Sequence, residues 1–148
     1  MMMDGEDELD QEMVAKAEAV IANLKSAYLD WVAEDLRRLT ALCDEARSAD
    51  IWERRALMPR IFTIAHDVKG QGGSFGYDLM TLVGNQLCRF LESRDNWPDH
   101  DLAVVIDLVA AMRRILDDAL EGNGGEAGAT LIASVKARIE AAGGPVSL

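Results

Sequence analysis

The stretch IFTIAHDVKGQGGSFGYD, residues 61–78, holds the side chain best suited to chemistry, His66, and crowds four glycines into the seven residues 70–76. On a helix, Phe62, His66, Lys69, Gly70 and Gly73 fall at steps of three and four on one face. Ile61, Ile64, Ala65, Val68 and Phe75 share the inward side. The imidazole is therefore expected at the surface, one turn from an ammonium. Gly70, Gly72 and Gly73 inside a helix cost ~0.8–1 kcal/mol each relative to alanine. A helix bears that cost where another surface must approach its backbone. Bare backbone beside an exposed imidazole leaves room for a bulky group at the ring nitrogen and for a docking protein. Lys69 adds positive charge suited to a phosphoryl oxygen. The plainer alternative is a helix that ends at KGQGG with glycine caps and an incidental surface histidine. Against it, Phe75 keeps the inward period seven residues beyond Val68, and Gly76 is the better placed terminator.

The elements that must position this face are helical. In residues 9–24, Leu9, Met13, Val14, Ala17, Ile21 and Leu24 repeat at helical spacing, and Tyr28, Val32, Leu36, Leu39, Cys43 and Ala46 continue the period over 27–47. One unbroken helix over both would measure about 58 Å, long for a compact domain. A break near NLKS is expected, with Ser26 as N-cap. The histidine helix begins either at Pro59, which suits a first turn, or nearer Ile51 with a kink.

Residues 78–93 give a further helix with Leu79, Leu82, Val83, Leu87, Phe90 and Leu91 inward. SRDNWPD reads as a turn. Residues 99–121 present Leu102, Val105, Val109, Met112, Leu116 and Leu120, and residues 129–142 present Leu131, Ile132, Val135 and Ile139. The expected fold is all-α, an antiparallel up-down four-helix bundle with an additional N-terminal helix and a short C-terminal helix. Its divisions are a disordered acidic arm (1–8), the bundle (9–121), a Gly-rich linker (122–128), and a C-terminal helix with a frayed tail (129–148). Met13, Val14, Ala17 and Ile21 are expected to cover the bundle, with flanking of the docking site as the alternative.

A net charge of −11 over 148 residues repels nucleic-acid phosphates and anionic membrane surfaces alike. Cys43 and Cys88 have no CxxC spacing and read as buried free thiols. The acidic N-terminus does not read as a signal peptide. The most apolar run, LAVVIDLVAAM, is short and interrupted by Asp107. A soluble cytoplasmic protein is expected, monomeric because one bundle can bury its own faces. His100, in WPDHD, lacks any H-x-x-x-H or H-x-x-E-H partner for a metal, and Asp99 and Asp101 read as helix N-terminal charges.

With those residues placed, HDVKGQGGSFG closely resembles the signature of histidine-containing phosphotransfer domains. That signature is H-x-x-K-G, then small residues, and a glycine ten positions after the histidine. His66, Lys69, Gly70 and Gly76 match at their positions, with Gly73 and Ser74 as the small residues. The resemblance covers the motif and the helix order over about residues 10–121. It implies that His66 accepts a phosphoryl group from a phospho-aspartate on a response-regulator receiver domain and passes it to another receiver. It also implies that Lys69 offsets phosphoryl charge and that Gly70 and Gly73 permit close docking.

The implied partners are receiver domains and a hybrid sensor kinase. No cofactor of its own is implied, since Mg²⁺ belongs to the receiver. The family often places a glutamine on the next helix near the imidazole. Here Cys88 stands at that position, with Asn85 one turn earlier and Gln86 adjacent. Asn85 is the candidate for orienting the ring, although solvation on the helix surface is the favoured role for either amide. Asp67 echoes the H-[ED] of sensor-kinase dimerisation domains. The proline that usually follows and a Gly-rich ATP-binding domain are both missing, so autonomous kinase activity is not expected. Arg60 and Lys69 are expected to form a basic rim. The competing expectation is a helical adaptor that binds a receiver or kinase without transferring phosphate.

Overall fold

The computed structural model describes residues 5–148. Among them are five α-helices and one short 3₁₀ turn: α1 (Gly5–Ser48), α2 (Ile51–Gly72), the 3₁₀ turn (Gly73–Phe75), α3 (Asp78–Glu92), α4 (Asp99–Asp117) and α5 (Gly125–Ala141). The chain is all-helical, and no described helix is long and apolar enough to cross a membrane. It divides into two units, Met1–Trp31 and Val32–Leu148.

In the first unit, the expected break at residues 23–26 does not occur, and helix runs on through it. Nothing in NLKS breaks a helix, since Asn and Ser cost only tenths of a kcal/mol relative to alanine, on the order of 0.5. The expected separate N-terminal helix is therefore part of α1. Residues 5–8 of the expected acidic arm form its first turn, where carboxylates favour the helix dipole. Residues 1–4 lie outside the described residues. Met13, Val14 and Ile21 are exposed.

The second unit holds a continuous apolar core. Val32, Leu36, Leu39, Cys43 and Ala46 of α1 are buried, as the period requires. Of the two starts open to α2, the structure takes the earlier. Asp50 accepts a hydrogen bond from the Glu53 amide at 2.9 Å, and Pro59 lies inside the helix. Arg54 fixes the junction. Its guanidinium donates to the carbonyls of Ala46 (2.8 Å), Arg47 (3.2 Å) and Trp97 (2.8 Å) and pairs with Asp99 at 2.8 Å. It thus satisfies carbonyls that the last turn of α1 leaves without helical partners.

α2 packs on α3, α3 on α4, and α5 on both α3 and α4. Leu79, Val83, Leu87, Phe90 and Leu91 are buried as expected, whereas Leu82 is 44% exposed. α4 stops at Asp117, earlier than expected. The following turn is tied back to the histidine region by the Gly122 amide donating to the Gly76 carbonyl at 2.7 Å. Residues 125–128 of the expected linker open α5, whose Leu131, Val135 and Ile139 are buried. After α5 the tail leaves helical conformation and is tied to α3 and the residues just after it. Gln86, fully buried, donates to Ser147 Oγ at 2.8 Å, and Arg94 reaches the Ala142 carbonyl.

Candidate functional site around His66

α2 builds the site by its register. Ile61, Ile64, Ala65 and Val68 are buried, which turns His66 outward to solvent. Phe62, one turn earlier, stacks against the imidazole with ring centroids 5.9 Å apart and 30° between planes. The ring thus has an apolar backing on one side and open solvent on the other.

Lys69 is half-buried, and its Nζ donates to Asn85 Oδ1 of α3 at 3.2 Å. Asn85 therefore holds the lysine, not the imidazole as expected. An ammonium has three donors, so this bond leaves others for a second acceptor. Gly84, which sequence reasoning passed over, makes the arrangement possible. A Cβ at Gly84 would lie 2.8 Å from Lys69 Cβ and 3.3 Å from Lys69 Cα. α3 rests directly on the lysine's stem only because Gly84 has no side chain. The available signal was a lone glycine inside a helical pattern, which marks close packing.

The glycines after the histidine separate into two kinds. A Cβ at Gly70 would meet nothing within 4 Å, and one at Gly73 nothing closer than 3.9 Å. Gly72 is buried, and a Cβ there would meet Thr81 Oγ1 at 2.7 Å and the Tyr77 carbonyl oxygen at 2.8 Å. Gly72 serves internal packing, whereas the space over Gly70 and Gly73 is open.

The α-helix itself ends at Gly72, in the KGQGG segment of the plainer alternative, and its last turn tightens into the 3₁₀ geometry of residues 73–75. Gly76, at φ 84°, is the left-handed terminator. Phe75 is only half-buried there. Thr81 closes this end from α3. Its hydroxyl donates to the Lys69 carbonyl at 2.9 Å and accepts from the Gly73 amide at 3.0 Å.

Cys88, at the position of the family's glutamine, is buried, so no thiol is presented beside the ring. Burial pushes its pKa up to about 11, with the Lys69 charge pulling the other way. Gln86 is buried against the tail, so neither amide on α3 serves mainly as surface solvation. Asp67 faces α1. Asp35 there has its carboxyl raised above the ordinary range by burial; Arg38 at 3.5 Å lowers it and the Asp67 charge raises it further.

Arg60 is exposed and lines a groove of about 550 Å³ with Arg38, Glu45, Thr63 and Ile64. On the other side of α2, Phe62 and Thr63 line a second groove, about 450 Å³, with Arg55 and Trp97. No group of three or more His, Cys, Asp or Glu side chains able to hold a metal occurs among the described residues. His100 is exposed beside Asp101, at 3.5 Å. The arrangement offers a solvent-open nucleophilic nitrogen, a cation anchored one turn away, and uncovered backbone beyond it. Compared with models of protein families, with curated proteins and with solved structures, the chain matches none.

Proposed function

We propose that this protein is a phosphoryl carrier of the histidine phosphotransfer type, with His66 as the acceptor. In this reading the C-terminal part of α1 and helices α2, α3 and α4 form the antiparallel four-helix bundle, and α5 is an addition to it. The unprotonated imidazole nitrogen of His66 attacks the phosphorus of an aspartyl phosphate on a receiver domain. The N–P bond forms as the P–O bond breaks, and the aspartate carboxylate leaves with the electron pair. Transfer to a second receiver is the reverse of this step.

Such chemistry rests on positioning and charge stabilisation, and the Mg²⁺ it uses belongs to the receiver. Phe62 backs the ring, Lys69 offsets charge on the phosphoryl oxygens, and Gly70 and Gly73 leave room for the receiver's rim. The observation that carries the reading is an exposed imidazole next to open backbone that no internal packing explains.

The charge balance along the chain favours the segment that carries His66. Residues 32–69 hold seven acidic and seven basic side chains, whereas residues 1–31 hold eight acidic and two basic ones. A charge-balanced segment around His66 would meet an acidic receiver pocket with less repulsion than the acidic N-terminal residues. The test is incubation with phosphorylated receivers. Acid-labile, alkali-stable label should appear on this protein and be absent from His66→Gln.

One observation favours a second reading, a helical adaptor that binds a receiver without transfer: Lys69 is tied to Asn85. The adaptor predicts receiver binding with no label across the whole panel.

A further inference from the structure

The N-terminal unit carries an apolar face that the phosphotransfer reading does not use. Leu9, Met13, Val14, Val20, Ile21 and Leu24 are each between 55% and 65% exposed. At ~100° per residue these six and Ala17 fall within an arc of about 140°. The remaining positions of residues 5–25 are mostly charged or alanine. A contiguous exposed stripe of this kind marks an interaction surface.

Charge selects both the occupant and its direction. Residues 5–12 hold five carboxylates and no base, whereas residues 16–25 hold Lys16, Lys25 and one glutamate. An anionic membrane would repel the acidic turns. A parallel pair of these helices would set five carboxylates against five. In an antiparallel pair centred near Ala17, Leu9 meets the partner's Leu24 and Met13 meets the partner's Val20. That pairing also brings Lys25 level with the partner's Glu8 and onto the flank of the partner's Asp7.

We propose that residues 9–24 pair antiparallel with the same segment of a second copy of this chain. The seam is short, about 24 Å. Beside the ~1,200–2,000 Å² of standard stable interfaces it predicts a reversible dimer with a dissociation constant on the order of micromolar.

Sedimentation velocity of the full chain from about 1 to about 200 µM tests this. The expected result is a shift from monomer towards dimer mass, weakened at least tenfold in Ile21→Glu/Leu24→Glu while thermal unfolding of the rest stays unchanged. Direction is read by oxidation of single-cysteine variants made in a Cys43→Ala/Cys88→Ala background. A mixture of Leu9→Cys and Leu24→Cys should cross-link readily, and Leu9→Cys alone should not. Monomer mass at every concentration would overturn the proposal and leave the face to a partner of another sequence. So would undiminished dimer in the double-glutamate variant, or preferential cross-linking of Leu9→Cys with itself.

Discussion

Replacing Gly84 with alanine would place a methyl carbon 2.8 Å from Lys69 Cβ and 3.3 Å from Lys69 Cα. Carbon atoms pack best at about 3.5–4.0 Å, so α3 must retreat from α2 or the lysine stem must shift. Neither neighbour is the far end of a flexible chain. Overpacking of this kind costs about 1–3 kcal/mol. Against it stands the helix-propensity gain of alanine over glycine, ~0.8–1 kcal/mol.

Gly70→Ala supplies the control. It lies in the last turn of α2 with nothing within 4 Å of the added carbon, so it has a propensity gain of the same sign and no clash. The difference between the two variants therefore isolates the overpacking term, and Gly84→Ala should be less stable than Gly70→Ala by about 1–3 kcal/mol. At roughly 2–4 °C per kcal/mol for a chain of this size, a central value of ~2 kcal/mol separates their melting temperatures by about 4–8 °C. Thermal and urea unfolding followed by circular dichroism measure it. Equal stability of the two variants, or the reverse order, would refute the claim that α3 seats on Lys69 through Gly84.

Bulk at the open glycines should act on transfer instead. Gly70→Leu and Gly73→Leu are expected to slow phosphoryl uptake from a receiver at least tenfold with melting temperatures near wild type, and unchanged transfer would make these glycines helix-end devices only. Thr81→Val removes the hydroxyl that joins the Lys69 carbonyl to the Gly73 amide; it should cost about 1–3 kcal/mol, and Thr81→Ser should recover most of it in urea titrations. The thiols predict a pH dependence. Burial raises Cys43 from 9.0 to about 12 and Cys88 from 9.0 to about 11. Above pH 9 the unfolded chain therefore loses protons that the folded chain keeps. Their contribution is fully present below pH 9 and lost as pH rises through the folded values, so the fall in stability should be shallower in Cys43→Ala/Cys88→Ala.

Periodicity was sufficient to place the histidine. Ile61, Ile64, Ala65 and Val68 are buried and His66 is exposed, because a 3.6-residue repeat fixes which side of α2 meets the core. The same repeat assigned Val83, Leu87, Val105 and Met112 correctly. It failed where neighbours in space, not in sequence, decide. Gly70 and Gly72 look alike in KGQGG, yet only Gly72 lies against Thr81 and Tyr77 of the following segment. Asn85 sits one turn from the expected glutamine position, but α3 approaches so closely at Gly84 that its amide meets Lys69 first. The length argument for a break at residues 23–26 presumed that residues 9–24 belong to the compact core. Their apolar side chains are exposed, and periodicity alone does not tell an apolar face that is buried from one that is not.

Transfer through His66 is tested most directly by following the phosphoryl group. Full-length protein would be phosphorylated by a labelled receiver, the site located by mass spectrometry under alkaline conditions, and a second, unphosphorylated receiver then added. A His66 carrier should bear a single phosphoryl group on the peptide containing His66 and lose it to the second receiver during the chase. Receiver binding without any phosphoryl group on that peptide, or label that persists in His66→Gln, would contradict transfer through His66.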